Sequence, residues 1–142
     1  MEGATGKNVI VGCVYKHPNF DLGKFNTMYS PLLEKMCLED KNIHIMGDFN
    51  INLINASAQN PRIANFLNTN LENSLEPSIL CPTRITLQSQ TLIDNIFSNN
   101  LDQKYLAANL TLCISDHLPQ ILILKQERSH TEIKNEFFQD FK

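Results

Sequence analysis

The stretch Asn42-Ile43-His44-Ile45-Met46-Gly47-Asp48-Phe49-Asn50 decides how the chain is read. Ile43, Ile45 and Met46 predict a short apolar strand over 42–46, and Gly47 ends it by permitting a tight backbone turn. Polar residues follow at once. In α/β proteins ligands gather at the carboxyl ends of strands, so Asp48 and Asn50 stand where a site would form. Two apart, they share one side of an extended segment. A carboxylate there can hold a water or a metal while the amide donates to a phosphate oxygen. The same spacing also fits a plain Asp/Asn turn after a strand.

On either side of this stretch, apolar spacing predicts further elements. Residues 8–15 carry Val9, Ile10, Val11, Cys13 and Val14 as a nearly continuous apolar strand, broken by Lys16-His17-Pro18-Asn19. Over 24–38, Phe25, Met28, Tyr29, Leu32, Leu33 and Met36 recur at helical spacing, with Asp21 placed to cap the start. Pro31 conflicts with that helix, because an interior proline removes a backbone hydrogen bond, so a late start or a bend is expected there. A second helix is predicted over 61–71, with Pro61 early and Ile63, Phe66 and Leu67 facing inward. Four more strands are predicted over 78–81, 91–97, 106–113 and 120–125. Strands interspersed with helices define a mixed α/β domain over residues 1–125. The polar tail 126–142, with Ile133, Phe137, Phe138 and Phe141 on one helical face, reads as a linker or a docking helix.

A chain of 142 residues fits one domain, and 42% hydrophobic with 19% charged residues excludes disorder throughout. The net charge of −3 excludes a protein that holds nucleic acid purely by neutralising phosphates. If this chain handles phosphate, a bound cation must supply much of the positive charge. Cys13, Cys37, Cys81 and Cys113 form no C-x-x-C pair and read as buried free thiols of an intracellular, reducing compartment. Glycosylation triplets begin at Asn55 and Asn109, a pattern common by chance. The longest aliphatic run, 121–124, is far too short to span a bilayer, so no membrane role is expected.

Two more clusters carry chemistry. Over 91–97, Leu92, Asp94 and Ile96 share a face under strict alternation, and a carboxylate on an apolar face needs a partner or costs several kcal/mol. Ser115-Asp116-His117 is bounded by apolar residues; its adjacent carboxylate and imidazole serve one site only if the backbone turns there. A histidine whose ring is oriented by a separate carboxylate is a standard acid-base arrangement. Taken singly, Asp94 fits an ion pair equally well, and His117 reads as a loop residue rather than a catalyst.

Five stretches in order, covering residues 8–125, make the sequence recognisable: Val11-Gly12-Cys13-Val14-Tyr15-Lys16-His17-Pro18, Met46-Gly47-Asp48-Phe49-Asn50-Ile51-Asn52, Cys81-Pro82-Thr83-Arg84-Ile85-Thr86, Thr91-Leu92-Ile93-Asp94-Asn95-Ile96-Phe97 and Ile114-Ser115-Asp116-His117-Leu118-Pro119. The chain resembles the endonuclease/exonuclease/phosphatase superfamily of DNase I-like fold, and within it the endonuclease domains of non-LTR retrotransposons. The resemblance implies the C-terminal portion of a DNase I-like β-sandwich with flanking helices, and a metal-dependent DNA endonuclease that hydrolyses a phosphodiester. It implies that Asp48 orients or deprotonates the attacking water, that Asn50 holds a phosphate oxygen and that Tyr15 contacts the scissile phosphate. Asp116 would bind the cation, Mg²⁺ or Mn²⁺. His117 would stabilise the pentacovalent phosphorane, with Asp94 fixing its tautomer. Thr83 and Arg84 match a loop lying near the DNA backbone. By the same resemblance the substrate is DNA, the compartment is the nucleus, and a reverse transcriptase region would follow in a parent polyprotein.

The family also carries a metal-binding Glu in the half that precedes these stretches, and neither Glu2, Glu34 nor Glu39 stands in a matching context. The isolated chain is therefore expected to behave as a fragment with weak activity or none, and with one sheet face uncovered. Alternatives are an inactive remnant that binds nucleic acid or protein, and a phosphatase or lipid phosphodiesterase of the same superfamily. The Thr83-Arg84 loop and the short loop after His117 argue against the latter.

Overall fold

A computed structural model describes residues 8–54, 60–100, 105–112 and 114–125. The chain starts with strand β1 (Val9–Tyr15), helix α1 (Leu22–Cys37) and strand β2 (Asn42–Asp48), which lies parallel to β1 with Val9 opposite Asn42 and Tyr15 opposite Asp48. Parallel neighbours need a crossover, and α1 supplies it. Helix α2 (Pro61–Glu72) follows, then the two-residue strands β3 (Glu76–Pro77), β4 (Arg84–Ile85) and β5 (Gln90–Thr91), and β6 (Asp94–Ser98), β7 (Tyr105–Asn109) and β8 (Gln120–Leu124). The main sheet has the order β1-β2-β6-β3, with β6 antiparallel to β2; β4–β5 and β7–β8 are separate antiparallel pairs.

Alternation along the strands assigns the two faces of the sheet. Ile43, Ile45 and Phe97 point toward the helices and close a core with Tyr29 and Leu33 of α1 and Phe66 of α2. The helices are also tied by buried polar bonds: Asn26 Nδ2 donates to Thr69 Oγ1 at 2.9 Å, and the Tyr29 hydroxyl donates to Asn70 Oδ1 at 3.1 Å. On the opposite face Met46 and Ile96 meet Ile79 and Leu92, with Ala107 of β7 and Leu122 of β8 packed over them. The result is a mixed α/β domain: two helices on one side of the sheet, the β7–β8 pair on part of the other. The rest of that second face is uncovered among the described residues. Val11 of the edge strand β1 is 58% exposed and Tyr15 68% exposed.

Several local expectations change. Helix α1 begins early, at Leu22 with Asp21 Oδ1 accepting from Lys24 N at 2.9 Å, and runs through Pro31. Pro31 and Leu32 lie on the exposed side, where solvent can reach the carbonyl that the proline leaves without a helical donor. Strand β2 does not stop at Gly47 but continues to Asp48. The predicted strand 91–97 is broken at Leu92 and Ile93, whose carbonyls accept from Leu53 N and Phe49 N instead. Residues 78–81 form no strand; the neighbouring Glu76–Pro77 pairs with β6. Cys13 and Cys81 are free but exposed rather than buried, because Cys13 lies on the bare face of β1. Cys113, Glu2, the triplet at Asn55 and the tail 126–142 lie outside the described residues.

Candidate active site

At one end of the main sheet three polar side chains come level. Tyr15 closes β1, Asp48 closes β2 and Asp94 opens β6; in the ladders Tyr15 faces Asp48 and Asp48 faces Asp94. Cross-strand partners project from the same side, so residues far apart in sequence become a row.

Gly47 makes the row possible. Its φ is +147°, and a Cβ built on it would lie 1.9 Å from the Val14 carbonyl oxygen, so only glycine lets β2 pass β1 this closely just before Asp48. After Asp48 the chain turns instead of staying extended. Asn50 adopts φ 49°, which asparagine tolerates, and its N–H donates to Asp48 Oδ1 at 2.9 Å. This is the Asp/Asn turn that the spacing allowed, and it fixes the carboxylate. Asn50 Nδ2 donates to the Lys16 carbonyl at 2.9 Å, while Lys16 N–H donates to the Asp48 carbonyl at 2.9 Å. Lys16 is only 4% exposed, its ammonium donating to the carbonyls of His17 (3.1 Å) and Pro18 (3.5 Å). Burial lowers its pKa, against the charges of Asp48 and Asp21.

His117 Nδ1 lies 3.1 and 3.2 Å from the two Asp94 carboxylate oxygens. The 115–118 segment reaches Asp94 through the 83–85 loop: Leu118 N–H donates to the Thr83 carbonyl at 2.7 Å, Ile85 N–H to the Asp116 carbonyl at 2.9 Å, and Arg84 bridges to His117. Burial pushes the Asp94 carboxyl up, opposed by a hydrogen bond with Thr83 and by the His117 charge. Neighbouring Asp48 pushes it in the same direction as burial. Asp116 turns the other way. Arg84 Nε donates to its Oδ2 at 2.7 Å, and that bond holds the carboxyl below its ordinary range. Adjacent in sequence, Asp116 and His117 thus serve different partners.

Oxygens of Asp48 and Asp94 and a ring nitrogen of His117 all lie within 4.8 Å of one another. Two carboxylates suit Mg²⁺, which takes one or two such ligands and keeps several waters; a nearby imidazole also suits Mn²⁺. The donor set therefore fits a divalent cation. Asp116, the ligand named by resemblance, is outside that group and paired to Arg84. Thr83 is 0% exposed, so its hydroxyl is enclosed by protein, whereas the Arg84 side chain is 44% exposed beside the site. A groove of about 530 Å³ lies next to the row, between the free edge of β1 and α1, lined by Tyr15, Lys16, Phe20, Met28 and Leu32. It does not reach Asp94 or His117, so the chemistry sits on an open rim, not in that groove.

Sequence reasoning missed Lys16 and Asn52. A lysine after an apolar strand reads as solvated, and nothing local signals its burial. Asn52 Oδ1 accepts from Leu92 N at 3.1 Å and Ile54 N at 3.2 Å, holding the loop after Asp48 against the segment before Asp94. A repeated Asn-x-Asn following a strand was the available signal.

Helices on one sheet face and strands on part of the other give a mixed α/β arrangement consistent with a DNase I-like fold. Among solved structures the chain is similar to the endonuclease domain of TRAS1, a telomere-specific non-LTR retrotransposon, with TM-score 0.64 and 16% identity. The likeness covers 80% of this chain and 56% of that one, so the chain spans little more than half the length of that domain. No family model matches the chain, and no curated protein matches it.

Proposed function

We propose that this chain is a divalent-cation-dependent phosphodiesterase of the endonuclease type, with DNA as substrate. The convergence of Asp48, Asp94 and His117 within 4.8 Å carries the reading. The Asp48 carboxylate, fixed by the Asn50 N–H, orients the attacking water and takes its proton. Asp94 accepts from His117 Nδ1–H, and a ring protonated at Nε2 as well donates that second hydrogen to a phosphate oxygen as charge develops there. Tyr15, exposed and level with Asp48, contacts the same phosphate, and Asn50 has a second amide hydrogen to offer it. Asp48 and Asp94 would hold a Mg²⁺ or Mn²⁺ ion, which when bound would supply Lewis-acid stabilisation of negative charge on phosphate oxygens. Asp116 is held by Arg84 through one carboxylate oxygen, and the exposed Arg84 guanidinium would be the site's positive group toward a phosphate. The similarity to a retrotransposon endonuclease supports DNA as substrate.

Supercoiled plasmid incubated with the chain and Mg²⁺ tests this. Slow nicking is expected, because each site carboxylate already has a protein partner and the cation must compete. His117→Ala is expected to cut the rate by about 10²-fold or more, and a chelator to abolish it. Nicking indifferent to both would refute the assignment. The Arg84–Asp116 pair favours a second reading, an inactive remnant that binds nucleic acid. That reading predicts retained DNA binding with no nicking above buffer.

A further inference from the structure

Thr83 touches the Asp94–His117 pair from both sides without reaching solvent. Its Oγ1 accepts from two successive amides, Ile93 N at 3.1 Å and Asp94 N at 3.0 Å, where β6 begins. Both hydroxyl lone pairs are thereby used, and the one remaining hydroxyl hydrogen is free to donate. The Thr83 side chain also acts to lower the pKa of the Asp94 carboxyl, the direction that a donated hydroxyl hydrogen gives. The backbone of Thr83 grips the other partner: its carbonyl accepts from Leu118 N at 2.7 Å, the residue after His117, and its N–H donates to the Thr91 carbonyl at 2.9 Å.

Three segments therefore meet at one enclosed residue: the 91–94 segment, the 117–118 turn and the 83–85 loop. No exposed surface remains on Thr83 through which a nucleic-acid phosphate could bond its hydroxyl. We propose that Thr83 is a positioning residue, setting the distance and orientation of Asp94 against the His117 ring. This deepens the nuclease reading and rests on it for the importance of that pair. The chemistry is selective. Valine fills the same volume but leaves two buried amides unpaired and the carboxylate free to swing; serine keeps every hydrogen bond and loses one methyl.

Ring ¹⁵N shifts of His117, read in mildly alkaline buffer on the full chain, test the idea without requiring activity. Which ring nitrogen carries the proton is set by the bond the other makes, so a held Asp94 predicts the Nδ1–H tautomer in the wild type. Thr83→Val is expected to shift His117 to a mixture of tautomers and to slow nicking roughly 10–100-fold, as losses of orienting partners do. Thr83→Ser is expected to restore both. A folded Thr83→Val chain with an unchanged tautomer and unchanged nicking overturns the proposal while leaving the nuclease reading standing. A wild type that never nicks but shows the serine–valine contrast sinks the nuclease reading and keeps Thr83's role. Should Thr83→Val fail to fold, Thr83→Ser decides: the wild-type tautomer supports the role, and its loss in a folded serine variant ends it.

Discussion

At the residue scale, the site depends on places where only one side chain works. Gly47 is the sharpest: its positive φ and the 1.9 Å approach of any Cβ to the Val14 carbonyl oxygen leave nothing flexible to yield, since the obstacle is backbone. Gly47→Ala is expected to destabilise the fold by about 2–4 kcal/mol, read by chemical denaturation, because β1 and β2 must part beside Asp48. A change below about 0.5 kcal/mol would mean the two strands do not pass as described. Asp94 was legible in sequence because a carboxylate inside Leu92–Ile96 needs a partner, whereas Asp48 and Asn50 read as a site or as a plain turn until Asp94 and His117 were placed beside them. The partners of Asp116 were not legible. Which way a carboxylate turns in a Ser-Asp-His loop depends on Arg84, 32 residues away in sequence, and no local pattern encodes that.

At the element scale, apolar periodicity recovered both helices and the first two strands, since each buries one face against a partner. Helix ends were readable where a side chain caps them. Asn60 Oδ1 accepts from Arg62 N at 3.0 Å ahead of Pro61, so Asn60→Ala is expected to cost about 1 kcal/mol by thermal or chemical unfolding, while Asn60→Gly costs only tenths. Equal losses for the two substitutions would show that the cap is not what starts α2. Propensity misled at Pro31, where one lost hydrogen bond on an exposed helix face is outweighed by Tyr29 and Leu33 locked in the core. It misled again at 92–93. There the amides bond to the side chains of Asn52 and Thr83, so a stretch that alternates like a strand is interrupted by tertiary bonds that no window of sequence contains.

At the scale of the whole molecule, the sheet is well covered by helices on one side and partly covered on the other. His44 lies in that second layer, 0% exposed, edge-on to Tyr105 at 5.3 Å between ring centroids, with neither ring nitrogen hydrogen-bonded. Burial lowers its pKa from the ordinary 6.5, so the folded chain keeps it neutral while the unfolded chain takes up a proton. Its stability contribution is therefore full above about pH 6.5 and declines as pH falls toward the depressed folded value, by at most about 1.4 kcal/mol per pH unit. Unfolding midpoints across that range should fall with pH in the wild type and flatten in His44→Met; parallel curves would contradict the assignment. Among the described residues nothing covers Val9, Val11 and Tyr15 on the edge strand, which are 45%, 58% and 68% exposed.

The central claim is that Asp48 and Asp94, with His117 beside them, form one cation site, and paramagnetic broadening by Mn²⁺ tests it most directly. The account predicts that substoichiometric Mn²⁺ broadens the His117 ring signals together with the amides of Asp48 and Asp94, and that Asp48→Asn abolishes the broadening at all three. Broadening centred on other acidic residues, or none at these positions, would contradict it.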